Sequence, residues 1–177
     1  MSGLKSSQCC TSYTLFKTPI GWCGLVRTKK GLMSILIGYS KRHQLIKHIK
    51  KTFENTITKV SPTDKLIDTI IRFSSGENIP FGRYKMDWSS LTPFECAVLN
   101  ETMKIPYGTV TTYGSLAQKI GSPRGSRAVG NTLSHNPFPL LIPCHRIVRS
   151  DGKIGGFSAG GGKELKEKLL RMEKVNL

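Results

Sequence analysis

Between residues 113 and 134 the chain reads as two short helices split by the turn Gly121-Ser122-Pro123. The first spans about 113–120 and the second about 124–134, which is helix-turn-helix spacing. Glycine allows a tight reversal and proline cannot continue a helix, so the break is firm. In the second helix Ala128, Val129 and Leu133 can face a core, while Arg124, Arg127 and Asn131 stay free. Many antiparallel helix pairs share this spacing. It sets local architecture and leaves function open.

The second half is helical elsewhere too. Thr92-Pro93-Phe94-Glu95 has capping-box spacing with Pro93 at the first helical position, and that helix stops before Pro106. A last helix, about 164–173, buries Leu165, Leu169 and Met172. Earlier in the chain the pattern changes. Strand-like runs at 13–17, 22–27 and 32–38, parted by Pro19-Ile20-Gly21 and Lys29-Lys30-Gly31, predict an antiparallel meander. Residues 41–53 follow as a helix, with Leu45, Ile46, Ile49 and Phe53 on one face and Lys and Arg on the other. A second helix runs over about 62–73, with Ser61 as N-cap and Pro62 at its first position. Residues 1–12 read as a frayed polar tail, and 74–91 as an ordered linker whose Tyr84, Met86 and Trp88 need burial. The expectation is an α/β protein in two domains. Residues 1–88 form a small α/β supporting domain with no catalytic constellation, and 89–177 carry the helix-turn-helix.

Lys and Arg total 27 against 11 Asp and Glu, a formal net charge of +16. Such an excess favours a polyanionic partner, because neutralising phosphates releases condensed counterions. Solubility alone could also use it, so charge does not single out DNA. The five cysteines (Cys9, Cys10, Cys23, Cys96 and Cys144) are odd in number. With no secretory signal and no membrane-length apolar run, they predict a cytoplasmic (nucleoid-associated) or nuclear protein that does not engage a membrane. Cys9-Cys10 lacks a second Cys/His pair at finger-like spacing, and His43 and His48 stand at the wrong offset to share a helical face. No metal is expected.

Ile142-Pro143-Cys144-His145-Arg146-Ile147 carries the chemistry. Only a thiolate attacks, and a free thiol with a pKa near ~8.5 is mostly protonated at neutral pH. A neighbouring base raises the thiolate fraction, and Pro143 constrains the backbone from which the thiol projects. Adjacency of Cys and His is weak by itself, since a structural cysteine beside a polar turn looks the same.

The surroundings are more specific. Asn136-Pro137-Phe138-Pro139 precedes this stretch, and Asp151-Gly152-Lys153-Ile154-Gly155-Gly156-Phe157 follows it. Upstream stand Ile105-Pro106-Tyr107-Gly108, Tyr113-Gly114-Ser115-Leu116-Ala117 and Ser126-Arg127-Ala128-Val129-Gly130. Through these, in order over about 92–173, the sequence resembles the O6-alkylguanine-DNA alkyltransferases, the direct-reversal repair proteins. The first half resembles them only through its order of strands and helices.

The resemblance implies a ribonuclease H-like N-terminal domain of antiparallel sheet and helices, then a mostly helical domain with a winged helix-turn-helix. It implies a monomer that needs no cofactor and acts once on double-stranded DNA carrying O6-alkylguanine, and on O4-alkylthymine as a possible second lesion. Cys144 matches the alkyl acceptor, His145 the base that deprotonates it through a water, and Glu173 the carboxylate that holds the His. Asn136 matches the residue that orders the turn. Tyr113 matches the tyrosine that crowds the target phosphate and donates to the purine, and Arg127 the side chain that fills the gap left by a flipped base. Ile147, Phe157 and Ser158 fall at guanine-pocket positions, with Phe157 replacing a tyrosine often found there. Gly114, Ser122, Arg124 and Ser150 fall at DNA contacts. DNA is thereby expected on 113–134 and the loop around Ser150, with the lysine-rich helix at 41–53 adding little. Two rivals have less support: a non-catalytic lesion-binding relative lacks the acceptor Cys, and a helix-turn-helix regulator leaves Pro143-Cys144-His145-Arg146 unexplained.

Overall fold

The computed structural model describes residues 11–53, 57–59 and 64–176. Strands β1 (Thr11–Thr18), β2 (Gly21–Thr28) and β3 (Gly31–Tyr39) form the expected antiparallel meander. A fourth strand, β4 (Ile57–Lys59), joins β1 in parallel and gives the order β3-β2-β1-β4. The sequence reading missed β4, and Thr11 and Ser12 belong to β1 rather than to a frayed tail. Cys9 and Cys10 lie outside the described residues.

Helix α1 (Arg42–Thr52) presses Leu45 and Ile49 onto the sheet, while Ile46 and Phe53 are half-buried. Helix α2 (Lys65–Ser74) begins later than expected. Its cap is Asp64, whose carboxylate accepts from the Leu66 amide at 2.9 Å and also pairs with Arg27. One carboxylate thus closes the helix end and ties it to β2. Ser61 and Pro62, the expected start, lie outside the described residues. The linker runs beside β3: the Leu32 amide donates to the Lys85 carbonyl at 2.8 Å, and the Asp87 amide to the Leu32 carbonyl at 2.7 Å. Tyr84, Met86 and Trp88 pack on the core, as expected.

Helix α3 (Pro93–Met103) starts with the expected capping box between Thr92 and Glu95. Strand β5 (Thr111–Thr112) pairs in parallel with β6 (Ile147–Val148). The helix-turn-helix is α4 (Tyr113–Lys119) and α5 (Ser126–Ser134). Gly121 sits at φ 72, and the paired bonds Gly121 N–H to Gln118 O (3.0 Å) and Ser122 N–H to Ala117 O (2.9 Å) close α4. That is a Schellman ending, which needs the left-handed conformation glycine supplies. Arg124 lies in the turn rather than in α5. Gly125 precedes the helix so tightly that an added Cβ would stand 2.9 Å from the Ser122 carbonyl oxygen. The buried stripe of α5 is Val129, Thr132 and Leu133, and Ala128 is exposed beside Arg127 instead of facing the core.

Helix α6 (Gly162–Met172) buries Leu165, Lys166, Leu169 and Leu170, with Met172 half-buried. A second Schellman pair ends it, Lys174 N–H to Arg171 O and Val175 N–H to Leu170 O, both 3.0 Å. Here the left-handed residue is Lys174, at φ 60. Such a conformation costs a non-glycine residue roughly 1–2 kcal/mol. We expect Lys174→Gly to raise stability by roughly 0.5–1 kcal/mol after glycine's extra unfolded-state entropy, with the transfer rate unchanged. Thermal unfolding beside a transfer assay checks this.

The two halves share one apolar core, from Phe16 and Leu25 through Phe73 to Val98, Phe138 and Leu169. Backbone bonds cross between them, Ile35 N–H to Pro137 O (2.8 Å) and Gly160 N–H to Ile37 O (3.0 Å). The sheet thereby braces both sides of the Cys144 turn. Among the described residues no helix is long and apolar enough to cross a membrane.

Candidate active site

Pro143 leads into a single 3₁₀ turn, Cys144–Arg146, that hands the chain to β6. The turn is buried: Cys144 is 7% exposed and His145 1%. Asn136 ties it down. Its amide nitrogen donates to the Ile142 carbonyl at 2.9 Å and to Cys144 Sγ at 3.1 Å, while its oxygen accepts from the Phe138 amide at 3.0 Å. Asn136 does not end α5, whose C-cap is His135.

Glu173 lies directly behind His145, brought there by the last turn of α6. Its carboxylate accepts from His145 Nε2 (2.8 Å), Arg146 Nε (2.9 Å), an Arg146 terminal nitrogen (2.8 Å) and the Gly108 amide (3.1 Å). A carboxylate at a helix C-terminus meets the wrong end of the dipole, so these four donors offset an unfavourable position. Burial works to raise the Glu173 pKa, but the bonds from His145 and Arg146 outweigh it and bring it down to about 2. Glu173 is therefore ionised and can only accept, which assigns the His145 proton to Nε2. The other ring nitrogen, Nδ1, is buried with no hydrogen-bond partner among the described residues. Burial holds the imidazole below its usual pKa, more than Glu173 raises it. The ring is neutral, with a free lone pair.

Burial also pushes the Cys144 thiol up, against the lowering effects of the Asn136 contact and the Lys166 charge. The resting group is the thiol, and reaction needs a base. Lys166 is fully buried on α6. Its Nζ donates to the Ile147 carbonyl at 2.5 Å and the Gly156 carbonyl at 3.5 Å, and sits 5.9 Å from the centre of the Tyr113 ring. Burial brings its pKa down to about 8, against the pull of Cys144. A cation here favours the thiolate over the thiol.

Cys144 opens into a cavity of about 340 Å³ lined by Tyr113, Leu133, Ser134, Phe157 and Ser158, among others. Tyr113 is half-buried at the start of α4, and burial, then the Cys144 charge, raise its pKa, so the phenol keeps its proton. Gly155 passes this ring at φ 75, where an added Cβ would stand 3.2 Å from the phenol oxygen. Ser158 Oγ donates to the Ser134 carbonyl at 2.5 Å, which joins the loop to the end of α5. Ile147 is fully buried and does not line this cavity. Its carbonyl accepts from Lys166.

The remaining expected residues lie on the outer surface. Arg124, Arg127 and Ser150 are exposed, and Gly114 and Ser122 are partly so. The sequence reading gave no role to Lys166 or Arg146. Lys166 was detectable, since residues 166, 169, 170 and 173 share one helical face and that face holds Leu169, Leu170 and Glu173.

A sequence model described as the 6-O-methylguanine DNA methyltransferase DNA-binding domain matches residues 93–175. A methylated-DNA–protein-cysteine methyltransferase of Methanothermobacter thermautotrophicus is 38% identical over 133 residues, 75% of this chain and 73% of its own. Its counterpart in Mycobacterium bovis is 32% identical over 143 residues, 78% and 84% of the two chains. The crystal structure of Mycobacterium tuberculosis OGT in complex with DNA superposes with a TM-score of 0.75 at 30% identity, covering 92% of each chain. With fold, buried Cys-His-Glu line and sequence in agreement, the chain belongs to the methylated-DNA–protein-cysteine methyltransferases, DNA-binding repair proteins of alkyl damage.

Proposed function

We propose that the protein transfers the alkyl group of O6-alkylguanine, and of O4-alkylthymine as a second lesion, from duplex DNA to Cys144, once per molecule. The observation that carries this is the line from Glu173 through His145 to the turn holding Cys144, closed on its far side by Asn136. His145 Nδ1 takes the thiol proton through a water, Glu173 supports the charge that forms, and Lys166 favours the thiolate. Sulfur then bonds to the alkyl carbon as the carbon–O6 bond breaks. The electron pair leaves with the purine, which takes a proton from the Tyr113 hydroxyl. The product is a thioether, and among the described residues none is placed to remove it. Product should therefore plateau at one equivalent per protein, and continued turnover would sink the proposal.

A base inside a duplex cannot reach a buried thiol, so the lesion must be extruded into the cavity lined by Phe157 and Ser158. We assign Arg127 to the gap left in the stack, and Arg124, Gly114, Ser122 and Ser150 to the DNA backbone. Arg127→Ala should slow repair of duplex DNA far more than alkylation of Cys144 by free O6-benzylguanine. Equal loss on both substrates would remove the flipping role. The protein is proposed to act as a monomer in the nucleoid or nucleus, with the boundary between supporting and DNA-binding parts near residues 88–89.

A further inference from the structure

Helix α1 carries a dense cluster of exposed basic side chains. Lys41, Arg42, Lys47, Lys50 and Lys51 are all exposed on it or at its cap. Elsewhere the basic side chains often meet carboxylates: Arg27 with Asp64, Arg72 with Glu77, Arg149 with Asp151, and Lys163 with Glu167. None of the five on α1 does so among the described residues, and the helix itself carries no Asp or Glu. Lys47 faces both Lys50 and Lys51 at helical i,i+3 and i,i+4 spacing. Like charges at this spacing destabilise an isolated helix. The helix holds this cluster rigidly, because Leu45 and Ile49 are fully buried against the sheet.

Position gives the cluster a direction. His48 and Thr52 of α1 form one wall of a groove of about 470 Å³. The same groove is also lined by His135, Cys144 and Ser158, so α1 borders a groove that reaches the alkyl acceptor. Among the described residues no carboxylate lines that groove. An α-helix of this length runs ~16 Å, and duplex DNA presents a phosphate on each strand every ~3.4 Å along its axis. A backbone crossing beside the groove would meet several phosphates within reach of one rigid row of cations.

We infer that the exposed basic face of α1 is a second DNA contact, taking the phosphate backbone that flanks the lesion while the helix-turn-helix holds the duplex at the lesion. This rests on DNA as the partner and extends the footprint from the helix-turn-helix onto the N-terminal half. It departs from the sequence-based expectation that the lysine helix adds little.

The test is the salt dependence of binding for the wild type, for Lys47→Gln/Lys50→Gln/Lys51→Gln, and for Arg127→Ala. Each is measured on a duplex long enough to reach α1 and on one trimmed to the lesion and its close neighbours. The triple variant should lower the log–log slope by about 2–3 on the long duplex, near 0.9 per lost contact, and leave the short-duplex slope unchanged. Its Cys144 should react with free O6-benzylguanine at the wild-type rate, showing an intact fold and site. An unchanged slope on the long duplex, or an equal loss on both lengths, overturns the flanking contact. Arg127→Ala weakening both lengths alike separates that failure from a failure of the helix-turn-helix reading.

Discussion

Glu173→Gln is expected to slow alkyl transfer by roughly two to four orders of magnitude, the usual worth of a positioned acid–base group. The substituted amide can still accept from His145, but it offers no charge and turns a donor toward Arg146. Two effects follow from that one change. The imidazole loses the anion that makes proton transfer from Cys144 favourable, and the buried guanidinium loses its counter-charge. Breaking one side of a buried pair costs about 3–5 kcal/mol, so the variant should also melt earlier.

The pH dependence separates this account from simple loss of packing. Glu173 titrates from 4.5 in the unfolded chain to about 2 in the fold. A depressed carboxylate adds stability that is fully present above 4.5 and disappears as pH falls toward 2. The stability gap between wild type and Glu173→Gln should therefore narrow over that window. His145 acts in the same direction at higher pH. Its pKa is lowered by burial, so the unfolded chain takes up a proton first, and stability begins to fall as pH drops below the usual 6.5. A gap constant with pH would mean that Glu173 contributes shape and no charge.

Cys144→Ala should abolish transfer while leaving duplex affinity within a few-fold. The thiol lines the cavity on a buried turn, and the exposed cations of the helix-turn-helix, Arg124 and Arg127, stand on α5 and the turn before it. Lost chemistry with retained binding, measured by product analysis and by anisotropy on the same duplex, is the expected pair of results. If affinity collapses as well, the turn itself depends on the sulfur, through the Asn136 contact at 3.1 Å.

Those parts of the fold that local rules control were legible in the residues. Pro19-Ile20-Gly21 and Lys29-Lys30-Gly31 punctuate the meander, and Thr92 with Glu95 starts α3 as the capping box requires. Strand β4 was not, because three residues pairing in parallel with β1 depend on a distant partner and leave no local period. Asp64 won the cap of α2 through an ion pair with Arg27, which lies far away in sequence. At the site, the resemblance supplied Cys144, His145, Asn136 and Glu173, and the fold brings all four together. Lys166 and Arg146 escaped notice because charged side chains are ordinarily solvated. Here one is held by the Ile147 and Gly156 carbonyls, the other by Glu173 and the Ile105 carbonyl. Ala128 was placed in the core on character alone, although it is one residue off the buried stripe of α5.

Cys144 is proposed to accept the alkyl group and to keep it. Intact-protein mass spectrometry after exposure to excess O6-methylguanine duplex, followed by peptide mapping, reads this directly. A gain of one methylene unit per molecule, located on Cys144, is expected, with repaired guanine formed in equal amount. Repaired guanine in excess of protein, or the added mass on Cys9, Cys10, Cys23 or Cys96, would contradict it.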